Sequence, residues 1–418
     1  MNDLYLKYLS RLRDDYTICV KMEFLHPDNT VAFEITEDVI LNGSTINVVY
    51  QNGQRRSASI NVDNWANTYD FNINKVWFGQ AIKVSAGVYL KDGTPYYFPQ
   101  GVYYINNPSE VFNPGNRTTT FNLVDKWSYL DGTLFGGYSG IYKLLAKNNL
   151  FTAIEQLLLT NRGNGIPLDS VPPLLSSYYL NKVVTIDGVD YPVLDCPYDD
   201  KITGNYANVL NSIGTMLVAN MGYDANGQLR VESANIDVIQ DNMRQILWEF
   251  STNEREFIGM TDNPQPGKMY NNIVVTGGTL MGHIAYGEAT NNDPSSPTNV
   301  SIIGKKTYVE ERAKYYADSQ CQELADTLLN QYKNLSSTVT IQSVPMFHLQ
   351  ERSLVTVYRE GKDFSPVPYL INGWTLPIGN GVMSINATKL NPARDFRFME
   401  PTTTYHFLNG QQLNTLRL

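Results

Sequence analysis

Short alternating segments separated by turn residues are the feature that most constrains this chain. Apolar and polar residues alternate over runs such as Thr17–Phe24 and Arg56–Val62. Asn-Gly pairs at 42–43 and 52–53 and an Asp-Gly pair at 92–93 lie between such runs. These pairs tolerate the positive φ angles of tight hairpins. Many short strands joined by such turns predict an antiparallel sandwich or barrel over residues 1–127.

The same pattern predicts strands in the first and last parts of the chain. A short N-terminal helix over residues 4–13 precedes them, because its apolar residues recur at helical spacing. The expected strands are Ala32–Ile35, Val39–Leu41, Ile46–Tyr50, Ala81–Leu90, Tyr96–Phe98, Gly101–Ile105, Thr118–Val124, Tyr270–Gly278, Thr338–Val344, Ser353–Tyr358, Tyr369–Ile371 and Gly381–Ala387.

The longest helical pattern covers residues 308–333. Thr307 fits the N-cap position and Glu310 the third helical position, as a capping box requires. Residues of one helix face, apolar except for Gln320, then recur mostly every three or four positions, at Val309, Ala313, Tyr316, Ala317, Gln320, Leu324, Leu328 and Tyr332. We expect this helix to pack across a sheet, with Leu324 and Leu328 facing the sheet.

The middle of the chain contains helical patterns in addition to short alternating segments. Tyr142–Leu159 and Tyr206–Met221 predict amphipathic helices, and Gly222 fits a helix C-cap. Hairpins are expected at Asp187-Gly188 and Asn226-Gly227. Residues 128–250 are therefore expected to form an α+β lobe between two β-rich parts.

Polar, Pro-rich segments suggest boundaries. Residues 263–267 have the composition of a domain junction. Residues 287–300 predict an exposed, mobile loop that is ordered only by contact with another chain. We therefore divide the chain into a first β-rich module (1–127), the α+β lobe (128–250), a second β-rich module (251–395) and a C-terminal tail (396–418). Apolar and polar residues alternate weakly in the tail, and we expect it to contact a neighbouring chain.

Composition favours an assembly protein over an enzyme or a nucleic-acid-binding protein. The formal net charge is -9, and the acidic excess lies in residues 128–250, with 7 basic and 13 acidic residues. No segment is basic enough to hold a phosphate backbone. Charged residues are 17% of the chain against a usual ~25%. The 28 tyrosines and abundant asparagines suit half-buried surfaces between chains.

Three cysteines, Cys19, Cys196 and Cys321, are widely spaced and odd in number. This argues against a disulfide framework and a cysteine-based zinc site. The N-terminus lacks a signal-peptide core, and no apolar run approaches the ~18 residues of a membrane span. We expect a soluble protein synthesised in a reducing cytoplasm.

No pattern for catalysis, a cofactor or a metal is present. The histidines His26, His283, His348 and His406 share no ligand spacing. An acidic cluster at Asp187, Asp190, Asp195, Asp199 and Asp200 lacks the spacing of a calcium loop and is better explained as a solvated loop. Gly277-Gly278 and the glycine-rich run at 136–140 match neither a dinucleotide nor a P-loop motif. We expect no catalytic, cofactor-binding or metal-binding residues.

The order of these segments resembles a known family. Residues 77–87 (WFGQAIKVSAG) and 96–105 (YYFPQGVYYI) lie in the first β-rich part. Residues 270–277 (YNNIVVTG), a long helix and residues 353–358 (SLVTVY) follow in the second. This layout is similar to the baseplate hub, or tail-hub, proteins of tailed bacteriophages and related contractile injection machines. The resemblance implies a mainly β fold with an α+β insert. It also implies two tail-tube-like antiparallel barrel or sandwich modules, the second flanked by the long helix.

The resemblance also implies a function in the virion. Three chains would present six tube-like modules as a ring that continues the tail tube. Double-stranded DNA would pass through this ring without specific binding. The expected partners are the tail tube or distal tail protein, the tape measure protein and tail-tip or spike proteins.

Two alternatives remain open. A tail-associated cell-wall hydrolase would need a catalytic domain, and no motif for one is present. A receptor-binding protein of the tail tip would stack its Tyr and Trp side chains on sugars. Zymography on cell-wall extract tests the first alternative and a glycan-binding assay tests the second.

Overall fold

One sheet of 14 strands includes both the beginning and the end of the chain. The computed structural model describes residues 3–71, 76–77, 79–134, 137–159, 169–186, 189–234, 246–264, 267, 269–280, 282–333, 337–363 and 365–390. The C-terminal tail, including His406, lies outside the described residues, as do parts of the glycine-rich run at 136–140 and of the turn at Asp187-Gly188.

Strands outnumber helices in the described chain. The strands are β1 (Ile18–Leu25), β2 (Val31–Thr36), β3 (Ser44–Val49), β4 (Arg56–Asp63), β5 (Ile82–Tyr89), β6 (Pro95–Ile105), β7 (Ser109–Asn113), β8 (Asn116–Asp125), β9 (Gly137–Leu144), β10 (Leu174–Leu175), β11 (Val183–Ile186), β12 (Val189–Pro192), β13 (Asp200–Asn205), β14 (Ala219–Tyr223), β15 (Leu229–Ser233), β16 (Ile246–Ser251), β17 (Phe257–Pro264), β18 (Asn272–Leu280), β19 (His283–Thr290), β20 (Thr307–Arg312), β21 (Ser337–Ser343), β22 (Leu354–Tyr358), β23 (Val367–Ile378) and β24 (Met383–Lys389). The α-helices are α1 (Asp3–Arg11), α2 (Leu150–Leu158), α3 (Tyr206–Leu217), α4 (Val300–Ile303) and α5 (Asp318–Tyr332), and two short 3-10 helices lie at Lys126–Tyr129 and Ser177–Tyr179.

The large sheet has the order β17-β21-β24-β23-β3-β4-β8-β6-β5-β1-β2, with β22, β16 and β7 branching from it. Its strands come from both predicted β-rich modules, and β23 joins them by pairing with β3 through Gly373–Ile378 and Ser44–Val49. A single apolar core runs along one face of this sheet from Tyr8 to Ala387. The mainly β, largely antiparallel fold class is confirmed, and the two modules share one sheet and one core.

The alternation in the sequence explains this core. Along β4 every second residue is buried, beginning with Arg56. Because side chains of a strand point alternately to opposite faces, one face packs inward and the other stays polar. The predicted turns are also present, with positive φ at Gly43, Gly53 and Gly93. The N-terminal helix is confirmed as α1.

The middle of the chain has its own apolar core, formed mainly by α2, α3, β14 and β15. The predicted helix over 142–159 is correct only in its second half. Residues up to Leu144 belong to β9, which pairs with β13, and the helix begins after Asn149, whose side chain accepts from the Thr152 N–H. The prediction of a C-cap at Gly222 is wrong. Val218 ends α3 with a left-handed φ of 50°, and Gly222 lies in β14.

The predicted helix over 308–333 is also wrong in its first third. Residues Thr307–Arg312 form strand β20, which pairs in parallel with β18. The helix starts at Asp318, and the Gln320 side chain, not Glu310, accepts from the Ala317 N–H at its N-terminus. Residues 307–312 alternate with a period of two, so pairing with β18 prevails over helix propensity. As predicted, Leu324 packs toward a sheet, here the three-stranded sheet β19-β18-β20.

The prediction of an exposed, mobile loop over 287–300 is largely wrong. Residues up to Thr290 belong to β19, and α4 begins at Val300. Between them, Asp293 and Pro297 are exposed as expected. Ser296 and Thr298 are buried, and the Asn291 side-chain amide donates to both hydroxyls at 2.8 and 2.9 Å. The chain therefore orders this segment by its own hydrogen bonds.

The three cysteines are free and buried, as predicted. Among the described helices, none is both long and apolar enough to span a membrane. The four segment boundaries proposed from the sequence stay a prediction.

Gly287 allows α5 to lie directly on β19. A Cβ at this position would lie 2.4 Å from the Cys321 carbonyl carbon and 2.4 Å from the Gln322 nitrogen. Both atoms belong to the helix backbone, so neither can rotate away. The same close approach holds at Gly277 and Gly278, where a Cβ would lie 2.3 Å from a backbone oxygen. These glycines therefore allow the close packing of backbone segments at the sheet.

We predict that Gly287→Ala destabilises the protein by about 1–3 kcal/mol, because the added methyl overpacks the contact between helix and sheet. Gly267→Ala is the matched control, since a Cβ there meets nothing within 4 Å. Urea denaturation of both variants measures the difference. Equal free energies of unfolding would contradict the packing role of Gly287.

Candidate functional site: an uncharged sheet face between two open edges

Eight adjacent strands of the large sheet present a continuous face of uncharged side chains. In spatial order they are β17, β21, β24, β23, β3, β4, β8 and β7. We call the side of these strands opposite the apolar core the neutral face. Its positions are Gly259, Thr261, Asn263, Thr340, Gln342, Ser384, Asn386, Thr375, Pro377, Thr45, Asn47, Val49, Ser57, Ser59, Asn61, Asp63, Thr118, Thr120, Asn122, Ser109, Val111 and Asn113.

Hydrogen bonds between neighbouring strands confirm that these residues share one face. Across the junction of the two β-rich parts, the Thr375 hydroxyl donates to Asn47 Oδ1 at 2.8 Å. Further along, the Thr120 hydroxyl donates to Asn61 Oδ1 at 2.7 Å. Such pairs keep side chains ordered on a wet surface without using charge.

The scarcity of charge is specific to this face. Among its positions the charged side chain is Asp63. A surface with ~25–35% charged residues would place roughly five to seven charges on about twenty positions. The other wing of the same sheet, β5-β1-β2, does carry charge on its solvent side, at Lys21, Glu23, Glu34 and Lys83. The neutral face is therefore not a consequence of overall composition.

Both borders of the neutral face are open strand edges. Within the described residues, β17 pairs only with β21, and β7 pairs only with β8. All seven pairings between them are antiparallel. Because eight strands alternate in direction, β17 and β7 run in opposite directions. A second copy could therefore place its β17 against β7 and continue the antiparallel pattern.

A polar cavity of about 390 Å³ lies where the first part, the middle lobe and the last part meet. Two ion pairs at this cavity cross from one part to another: Arg55 with Glu232 at 3.3 Å, and Arg56 with Glu351. The Asp125 carboxylate accepts the backbone N–H groups of Arg55 and Arg56 at 2.8 and 2.9 Å. Burial raises the pKa of Asp125 to about 6. These pairs connect the parts of the protein, and we assign the cavity a structural role.

Gly222 makes room for the Arg55 side chain in this junction. A Cβ on Gly222 would lie 2.3 Å from Arg55 Nε. The sequence predicts a helix end at this glycine, because nothing local indicates a partner as far along the chain as Arg55.

The predicted candidates for chemistry are dispersed. His26 is exposed on a turn, and His283 lies 2.8 Å from Asp318 on the surface. Among the acidic residues, Asp200 accepts from Ser212 and binds Lys314, both at 2.7 Å, whereas Asp199 accepts the Ala146 N–H. Throughout the described ranges, no group of three His, Cys, Asp or Glu side chains could hold a metal ion.

His348 is buried at the edge of the junction cavity. The Tyr8 hydroxyl lies 2.9 Å from His348 Nδ1 and accepts the Phe347 N–H at 3.1 Å. The Tyr8 hydroxyl thus contacts both the backbone N–H of Phe347 and the ring of His348. Burial lowers the pKa of His348 to about 3. This histidine connects α1 to the last part of the chain.

Comparison with solved structures indicates what this fold is. The chain is similar to the tail protein from Neisseria meningitidis MC58, with a TM-score of 0.59 and 12% identity over 90% of this chain and 97% of that chain. A 43 kDa tail protein of prophage MuSo2 from Shewanella oneidensis gives 0.53 and 10% over 90% and 100%. This chain has the fold of phage tail proteins.

A third structure, the prophage tail protein gp18 from Listeria monocytogenes EGD-e, gives a TM-score of 0.51 and 10% identity over 89% of this chain and 94% of that chain. No family model matches the chain, and no curated protein matches it. The resemblance to tail proteins that the sequence suggested is confirmed at the level of the fold.

The neutral face is not apparent from the sequence. The alternating pattern predicts six of its eight strands but not β7 or β17, and alternation alone does not indicate how little charge the polar side carries. The signal that could have found it is the near absence of Lys, Arg, Asp and Glu at polar positions in these strands and not in β1, β2 and β5.

We predict that His348→Gln makes the protein less sensitive to acid. The folded protein holds this histidine neutral down to about pH 3, whereas the unfolded chain binds a proton near pH 6.5. The contribution of neutral His348 to the free energy of unfolding is thus fully present above pH 6.5. It is lost as the pH falls from 6.5 toward 3. Relative to the variant, the wild type should lose about 2–3 kcal/mol between pH 6.5 and 4.5.

Urea denaturation at the two pH values measures this difference. The exposed His26→Gln variant is the matched control and should keep the wild-type dependence on pH. If His348→Gln shows the same pH dependence as the wild type, the histidine is not held neutral.

Proposed function

We propose that this protein is a structural subunit of a phage or prophage tail, at the baseplate or tail-tip hub. In this proposal copies of the chain form a ring that continues the tail tube, and the neutral face lines the channel. The observation that carries the proposal is the eight-strand face with one charged position and an open edge at each side. The fold shared with tail proteins supports it.

The neutral face suits a channel for double-stranded DNA. Each Lys or Arg that contacts a phosphate releases counterions and adds to the affinity, so several contacts would hold the DNA. A strongly acidic wall would instead repel the duplex. Asn, Ser and Thr side chains do neither, and those of the neutral face already bond to one another across the strands. The proposed role is passage without specific binding.

Strand geometry favours three copies. Eight strands per copy give 24 strands in a trimer, and a spacing of ~4.8 Å closes a circle roughly 37 Å wide, or roughly 48 Å at a tilt of ~40°. Side chains take ~5 Å from each wall, which leaves roughly 27–38 Å. Two copies would leave roughly 14–22 Å, which gives a duplex about 20 Å wide at most ~1 Å of clearance on each side and no room for its hydration layer. We therefore propose a homotrimer.

In this arrangement the first and last β-rich parts alternate around the channel, because β23 and β3 join them within each copy. The middle lobe and the sheet covered by α5 lie outside the channel. The proposed neighbours in the virion are the tail tube or distal tail protein, the tape measure protein and the tail-tip or spike proteins. Synthesis in the bacterial host cytoplasm belongs to the same proposal.

We propose no catalytic activity. Hydrolysis of the cell wall and sugar binding at the tail tip remain the alternative functions, and no site described above favours either. Reproducible turnover of peptidoglycan that is lost on replacing one carboxylate would support the hydrolase.

We predict a closed ring of three chains around an open channel in the assembled tail tip. Electron microscopy of the particle measures both copy number and channel width. One copy per particle, or helix α5 lining the channel, would overturn the proposal.

We predict that lysines on the neutral face make the ring retain DNA. In Asn47→Lys/Asn61→Lys/Asn386→Lys, three cations per copy face the channel, so duplex DNA should bind at low salt and dissociate steeply as salt rises. A matched variant, Asn148→Lys/Asn226→Lys/Asn292→Lys, adds the same charge at exposed asparagines of the middle lobe and of the segment after β19, outside the proposed channel. Binding of labelled duplex to the assembled ring distinguishes the two. Equal retention by both variants would show that the neutral face does not meet the DNA.

A further inference from the structure

An aromatic cluster lies on the open edge β7, on the side opposite the neutral face. Phe112 is 70% exposed and Trp65 is 52% exposed. The Arg117 guanidinium lies between them, 4.4 Å from the Phe112 ring centroid and 5.5 Å from that of Trp65. We call Trp65, Phe112 and Arg117 the edge cluster.

In a single copy the edge cluster is largely exposed to solvent, and one of its nitrogen atoms has no hydrogen-bond acceptor among the residues that the structure describes. Every residue of β7 is exposed, so the strand has no apolar partner beyond β8. The Arg117 Nη1 donates to the Trp65 carbonyl oxygen at 3.3 Å, whereas within the described chain the buried Nε of Arg117 has no hydrogen-bond partner. Trp and Arg are frequent hot-spot residues of protein interfaces, and Phe is enriched in them. These features point to another protein surface that covers the cluster.

The other open edge offers a complementary surface. On the same side of the sheet, β17 carries Met260 and Asp262, which lie opposite the core residues Ile341 and Val339 of β21. Asp262 is exposed, and within the described residues no cation forms a salt bridge with it. The nearby Arg359 already binds Asp363 at 2.8 Å. A carboxylate and a thioether can thus meet an arginine and two aromatic rings.

We propose, on the basis of the ring described above, that the edge cluster of one copy docks on β17 of the neighbouring copy. In this interface β7 and β17 pair antiparallel with Phe112 opposite Asp262, and Arg117 forms an ion pair with the neighbouring copy's Asp262 across the Phe112 ring. The occupant of each open edge is therefore a second copy of this chain.

Charge selects this register. If Phe112 lay opposite Met260, the antiparallel rule would place Glu110 opposite Asp262, and like charges directly opposite each other are destabilising. A shift of two residues places Phe112 opposite Asp262 and Glu110 opposite Pro264, which has no charge. On the channel side, the same shift places Val111 opposite Asn263 and Asn113 opposite Thr261, so the neutral face continues across the joint.

Cysteine cross-linking tests the register. Cα atoms of opposite residues in antiparallel strands lie ~4.5–5.5 Å apart, within the ~4.4–6.8 Å range of disulfides. We expect Phe112→Cys/Asp262→Cys, once oxidised at high protein concentration, to form covalent oligomers that end at three copies. The native cysteines are buried and should not interfere. Phe112→Cys/Ile302→Cys, with its second cysteine on the exposed helix α4, is the matched control and should stay monomeric.

The possible outcomes separate this inference from the proposed function. Trimers from Phe112→Cys/Met260→Cys but not from Phe112→Cys/Asp262→Cys would retain the ring and overturn the register. No covalent oligomer from either pair would overturn both the ring and the interface.

A charge exchange tests the ion pair itself. Arg117→Asp and Asp262→Arg should each weaken association at least tenfold in sedimentation, because like charges then face each other. Their combination should restore association to within about threefold of the wild type. Circular dichroism confirms that each variant is folded. If association is unchanged in both single variants, or not restored in the double variant, the ion pair is absent.

Discussion

The pairing of β23 with β3 is the interaction on which the rest of this structure depends. It joins strands from the two ends of the chain into one sheet and merges two β-rich parts over one core. The joint tolerates little change, because a Cβ on Gly373 would lie 2.1 Å from the Val48 backbone oxygen. A bulge at this glycine lets β23 continue past the β22 strand and reach β3. Without this joint the neutral face would be two separate patches.

Because the neutral face carries so little charge, ion pairs cannot hold its side chains in place. The strands are held by their core-facing side chains, and the hydroxyl and amide groups of the neutral face form hydrogen bonds from one strand to the next. Charge is concentrated elsewhere: on the β5-β1-β2 wing and in the junction of Arg55, Arg56, Glu232 and Glu351. In that junction each charge has a partner, which is the condition under which buried ions are tolerated. The protein thus separates a charged exterior and junction from one uncharged surface.

Local pattern was enough to predict most strands, because alternation and Asn-Gly turns act over a few residues. It was not enough where the secondary structure of a segment depends on a strand that is distant in the sequence. Residues 307–312 satisfy both a helical and a strand pattern, and the available edge of β18 decides between them. Val218 ends α3 although a β-branched residue seldom adopts positive φ. The neutral face could not be predicted at all, since its residues become neighbours only through the register of eight strands.

The distance along the chain between β3 and β23 has a consequence for how the protein is made. Thr375 and Asn47, which bond across the joint, lie 328 residues apart. At roughly 5–20 residues per second, the ribosome takes roughly 15–65 seconds to synthesise the intervening chain. During that time the edge of β3 has no partner, and an unpaired edge can pair with other nascent chains. Loop closure over this length also slows folding. The late arrival of β23 thus makes the joint between β23 and β3 a late step in completing the sheet.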